Sequence, residues 1–167
     1  TPIFQACEEY WKEENDSRLK AFLQESKNIL SKDFIDCLVI SDYNTTGLTG
    51  ANLPKRTVWH ALTHSDGVTN KGKGSAGSYG IGKNAPFACS SLRTVFYNTY
   101  AEDNIKAFQG VARLVTHKNN QNQLTQGVGF YQNVDGESRT PIFENDDCDF
   151  RDEFKRNQYG TDVIIVG

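Results

Sequence analysis

Methionine is absent from these 167 residues, and cysteine and proline are scarce, at four each. Cys7, Cys37, Cys89 and Cys148 stand far apart with no Cys-x-x-Cys. That disfavours a zinc site or a redox dithiol and predicts reduced, mostly buried thiols. No apolar run approaches the roughly 20 residues that span a bilayer, and the opening Thr1 to Cys7 has no basic segment followed by an apolar one. No membrane partner is expected, and the chain reads as soluble, unexported and cytoplasmic. An excess of one charge is missing too. Eighteen basic against 21 acidic residues leave −3, which does not suggest a protein that holds nucleic acid or anionic lipid by bulk electrostatics. Nucleic acid would have to be met through a local patch or through other domains.

The length suits one domain over residues 1–167, large enough for a two-layer structure with a core. With no Met, and a stop at Val166-Gly167 directly after an apolar run, the chain is expected to be an excised part of a longer protein. Apolar residues at helical spacing over 3–14 and 17–30 predict two amphipathic helices, with Asp16 or Ser17 as a cap. Phe34 to Ile40 reads as a buried strand that ends at Ser41-Asp42. A helical turn at 57–63 precedes a glycine- and serine-rich stretch from His64 to Ser78, which predicts a mobile loop. Lys83–Ser90 is helix-compatible, with Pro86 in the first turn. Strands are predicted at 93–99, 107–116, 127–131 and 162–166. Helices first and strands later imply an α+β sandwich, a mixed, mostly antiparallel sheet with helices on one face.

Three segments carry chemistry. In the first, Ser41-Asp42-Tyr43-Asn44-Thr45-Thr46-Gly47-Leu48, a carboxylate sits where a strand ends and is held rigidly there. Such a group accepts a hydrogen bond from an exocyclic amine such as that of adenine. Asn44 and Gly47 tolerate positive φ and let the backbone turn around a flat ring. The competing reading makes Asp42 a turn cap in a surface loop.

In the second segment, Gly72 to Asn84, glycines converge backbone N–H groups on phosphate oxygens and run straight into a helix start. Lys83 would add a full charge, and Lys71 and Lys73 lie in the part that would close over the phosphates. A flexible linker is the alternative, but linkers seldom run into an apolar helix. Gly72-x-Gly74-x-x-Gly77 and Gly77-x-x-x-x-Gly82-Lys83 also fit the dinucleotide and P-loop patterns. Both require a buried strand just before the glycines, and Ser65 to Lys71 is not one. In the third segment, Gly160-Thr161 opens an apolar strand, and the threonine hydroxyl can share an adenine contact with Asp42.

In this order the segments resemble the GHKL (Bergerat-fold) ATPases, the group containing DNA gyrase B, MutL, the ninety-kilodalton heat-shock chaperone and histidine kinases. Asp42 matches the adenine-binding Asp of the family's Asp-x-Gly-x-Gly box, with Asn44 in place of the first glycine and one extra residue before Gly47. Gly77-Ser78-Tyr79-Gly80-Ile81-Gly82-Lys83 matches the Gly-x-x-Gly-x-Gly box, and Gly160-Thr161 the final strand. Several phrases look more narrowly like those of large bacterial proteins described only as ATP-binding.

The resemblance implies ATP and Mg2+ as ligands, contacts from Asp42, Asn44, Thr46, Gly47, Lys71, the second box and Thr161, and slow hydrolysis in the full protein. It also implies a lid that closes and a rearrangement or homodimerisation through adjoining regions. Members that hydrolyse ATP carry an upstream Glu-x-x-x-Asn, the Glu as general base and the Asn on magnesium. The nearest match here is Gln24-x-x-x-Asn28, whose amide is no base, so the catalytic residues stay unassigned and the box is expected before Thr1. A histidine-kinase-type phosphotransfer domain and a degenerate nucleotide-binding interaction module are the alternatives. His60, His64 and His117, the only histidines, lack a convincing phospho-acceptor setting.

Overall fold

Asp16 decides where the second helix starts. Its Oδ1 accepts the N–H groups of Arg18 at 2.8 Å and Leu19 at 3.1 Å, two of the donors that a helix N-terminus leaves unpaired. The computed structural model describes residues 2–64, 82–144, 146 and 152–167. Over these the elements run α1 Pro2–Tyr10, α2 Ser17–Leu30, β1 Cys37–Ser41, α3 Val58–Thr63, a short turn of 3-10 helix at Gly82–Asn84, and α4 Ala85–Cys89. They continue with β2 Thr94–Tyr100, β3 Lys106–Arg113, β4 Val128–Tyr131, β5 Asn133–Asp135, β6 Ser138–Thr140, β7 Ile142–Phe143 and β8 Gly160–Val166. Replacing Asp16 with Ala is expected to cost about 1 kcal/mol of stability, read as a lower denaturant midpoint.

The main sheet has the order β1-β8-β2-β3-β4, with β7 also on β3, while β5 and β6 form a separate hairpin. Among the described residues every strand pairing is antiparallel. The α+β class read from the sequence is therefore the class observed. β8, a central strand, alternates its side chains between two cores. Val163 faces Tyr97, Val95, Val111, Trp59 and Phe87, a cluster that seats α3 and α4 on the sheet. Ile164 faces the other way, onto Phe108, Ile142, Phe96 and Phe154. Thr57 starts α3 by accepting the His60 N–H, and Pro86 falls in the first turn of α4, where its missing N–H costs nothing. α1 is pinned through Trp11, whose Nε1 donates to Thr116 O at 2.5 Å, and through Cys7, whose Sγ lies 3.4 Å from His117 Nδ1.

Two expectations need correcting. β1 is apolar but not buried, because it pairs only with β8, at the sheet edge. Leu38, Val39 and Ile40 are 59%, 41% and 54% exposed. The thiols are not mostly buried either: Cys7 is, but Cys37 and Cys89 are exposed, and Cys148 lies outside the described residues. The described residues include no helix long and apolar enough to cross a membrane.

Candidate functional site

At the end of β1 the ladder changes partners. Asp42 N–H still donates to Thr161 O at 2.9 Å, as regular pairing with β8 requires. The return bond does not form: Thr161 N–H donates instead to the Asp42 side chain, at 2.7 Å to Oδ1. The same Oδ1 accepts the Thr45 hydroxyl at 2.9 Å. Both contacts engage one oxygen, and Oδ2 of this exposed carboxylate accepts no hydrogen bond among the described residues. The strand end thus gives a fixed acceptor with one oxygen held and the other presented.

The backbone then turns sharply, with Asn44 at φ 57 and Gly47 at φ 64, in the left-handed region that both residues tolerate. Asn44 N–H donates to Tyr159 O at 3.0 Å, which ties the turn to the segment before β8. Gly47 has a second reason to be glycine: a Cβ there would lie 2.7 Å from Tyr100 O and 2.8 Å from Ala101 Cα. Thr46 is exposed, and its carbonyl accepts Glu102 N–H at 3.0 Å. Thr99, which the sequence did not single out, joins the parts. Its hydroxyl donates to Gly160 O at 3.0 Å, accepts Leu48 N–H at 2.9 Å and lies 3.4 Å from the Thr161 hydroxyl.

Three further residues support the site, and sequence reasoning missed all of them. Arg156 donates from Nη2 to Asp42 O at 2.5 Å and from Nη1 to Asp162 Oδ1. Asn98 Nδ2 donates to the other oxygen of Asp162 at 2.8 Å. Asp162 was visible as a charge inside an apolar strand, beside Thr161. Its partners come from 64 and 6 residues away, which no local pattern links.

Of the glycine-rich box, Lys71, Gly77, Ser78, Tyr79, Gly80 and Ile81 lie outside the described residues. Gly82 and Lys83 lie in the short turn before α4. Lys83 Nζ donates to Ala61 O of α3 at 3.2 Å, and Asn84 Oδ1 accepts from Arg113 Nη1 at 2.6 Å. Ladder parity puts Asp42, Thr161 and Thr99 on the sheet face that α3 and α4 cover, the face on which Arg113 packs against Phe87. Thr161 pairs with Thr99, which pairs with Ala107. Arg113 stands six residues farther along β3, about 20 Å at ~3.3 Å per residue. The acid and the start of the α4 turn therefore share one face, toward its two ends. Gln24 and Asn28 hydrogen-bond to each other through their side-chain amides, at 3.0 Å on the exposed side of α2.

Beside this face the His60 and His64 rings stack at 4.9 Å, and His64 stacks on Phe130 at 4.6 Å. Burial, and then the neighbouring His60, pull the His64 pKa below its ordinary 6.5. Folding therefore favours the neutral ring. The resulting stability is complete above pH 6.5 and is lost as pH falls below it toward the lowered value. The thermal midpoint is expected to drop over that window, and His64→Phe, which keeps a ring in the stack, should remove this component of the drop.

No family model, curated protein or solved structure matches the chain.

Proposed function

We propose that this chain binds ATP, as the nucleotide-binding domain of a GHKL-type ATPase. The observation that carries the proposal is the Asp42 carboxylate, with Oδ1 held by Thr161 N–H and Thr45 and Oδ2 presented at the strand end. An ionised carboxylate offers acceptors alone, so its natural complement is a donor such as the exocyclic amine of adenine. Thr161, whose N–H holds Oδ1, carries a hydroxyl that would offer a second contact, direct or through water. The Gly82–Asn84 turn, which in this reading would meet the anionic tail, lies toward the other end of the same sheet face. Phosphates would meet Gly82 and Lys83.

In this reading magnesium arrives with the phosphates and is held by them and by water, as its reluctance to dehydrate favours. The described residues gather no group of three or more His, Cys, Asp or Glu side chains that would cage it. No residue of this chain is assigned as general base. Hydrolysis would be slow and magnesium-dependent, and nucleotide binding would close the lid and drive rearrangement or dimerisation. Calorimetric titration of the chain with a non-hydrolysable ATP analogue and magnesium tests the proposal. Saturable binding with one site per chain is expected, and the absence of any saturable heat would overturn it.

A further inference from the structure

We propose that Arg156 is a positioning residue for the adenine contact, replacing the ladder bond that Asp42 gives up so that its carboxylate stays aimed at the base. The proposal rests on the ATP-binding reading above. In a regular antiparallel pair Asp42 O would accept Thr161 N–H, completing the two-bond exchange. That N–H is spent on Asp42 Oδ1 instead, at 2.7 Å, which leaves the Asp42 carbonyl without its ladder donor. Arg156 supplies another from Nη2 at 2.5 Å. Without that donor the carbonyl would compete for Thr161 N–H, and the carboxylate would lose the contact that fixes its direction.

The guanidinium is itself held. Its Nη1 donates to Asp162 Oδ1, its Cζ lies 4.8 Å from the Tyr43 ring centroid, and Asp162 Oδ2 accepts from Asn98. The Arg156 and Asp162 side chains are 5% and 9% exposed. A pair this buried adds little stability over an apolar pair of similar size, because the desolvation of both ions offsets their attraction. What the pair supplies is direction, since a planar fork reaches two acceptors at fixed angles. Gly160 fits the same arrangement: a Cβ there would fall 2.6 Å from Arg156 Nη2.

The test uses the double variant Arg156→Met with Asp162→Leu, which removes both charges together and leaves neither buried alone. Binding of ATP, GTP and inorganic triphosphate is measured on variant and parent. ATP affinity is expected to fall about tenfold, with the preference for ATP over GTP narrowing equally and triphosphate binding unchanged, since only the base end is disturbed. A second readout needs no nucleotide. In the parent, a through-hydrogen-bond NMR coupling should link the Thr161 amide nitrogen to the Asp42 carboxyl carbon. In the variant it should move to the Asp42 carbonyl carbon. If the double variant does not fold, Arg156→Lys, which keeps a cation against Asp162 but not the fork, is read the same way with about a threefold loss.

A folded variant with ATP affinity within twofold of the parent and the coupling still at the carboxyl carbon would overturn the proposal. A parent that binds no ATP would overturn the nucleotide reading, and the coupling would then still decide what Arg156 does to Asp42.

Discussion

Asp42→Ala is expected to weaken ATP binding roughly 10- to 150-fold, the equivalent of losing one charge-assisted hydrogen bond of about 1.5–3 kcal/mol. The fold should survive, because Thr161 N–H, released from Oδ1, can return to the Asp42 carbonyl and complete a normal ladder pair. Asp42→Asn separates shape from charge. Its amide keeps an oxygen for Thr161 N–H but turns an N–H2 toward the place where the adenine amine would sit, setting donor against donor. It should therefore lose affinity about as much as the alanine variant, despite near-identical volume. Calorimetry on both variants, with circular dichroism confirming their fold, checks the result. Unchanged affinity in either would remove Asp42 from the site.

Much of this organisation is legible in the linear sequence, because the signals are local. Asp16 before an apolar helical period, Pro86 at a helix start and β-branched runs bounded by polar residues act within a few positions, and α2, α4, β2 and β8 form where those signals place them. Burial is not local. Leu38, Val39 and Ile40 make a strand by composition, yet their exposure depends on which strand ends up at the sheet edge, a property of the whole topology. The short hairpin β5–β6 and the two-residue β7 carry too few alternations to register as strands.

The candidate site divides the same way. Asp42, Asn44, Gly47 and Thr161 could be named from residue types that suit a strand end and a tight turn. Thr99, Asn98 and Arg156 could not, because each matters through a partner far off in the chain or on the adjacent strand. Asp162 shows the boundary well. It is a charge in an apolar strand that a sequence reader can flag, but only the fold reveals that Asn98 and Arg156 satisfy it.

Among the described glycines, Gly160→Ala should be the most disruptive substitution. Gly160 sits at φ 143, a conformation that side chains rarely adopt, and an added Cβ would lie 2.3 Å from Asp42 O and 2.7 Å from Asp42 Oδ1. Neither neighbour can give way cheaply: the carbonyl is clamped by Arg156 and the carboxylate oxygen by Thr161 and Thr45. Strain at such a φ costs about 1–3 kcal/mol and overpacking a tight site about as much again, so a loss of at least about 2 kcal/mol is expected. For a domain of this size that is a fall of about 4–8 °C in thermal midpoint. Gly136→Ala is the matched comparison: Gly136 also has positive φ, at 57, but a Cβ there would meet nothing within 4 Å, so it carries the backbone strain alone. The difference between the two variants reports the contacts with Asp42 and Arg156 together with the harsher backbone strain at φ 143. On the ATP-binding proposal, affinity should fall in the Gly160 variant and hold in the Gly136 variant, because the methyl would displace the acid proposed to face the base.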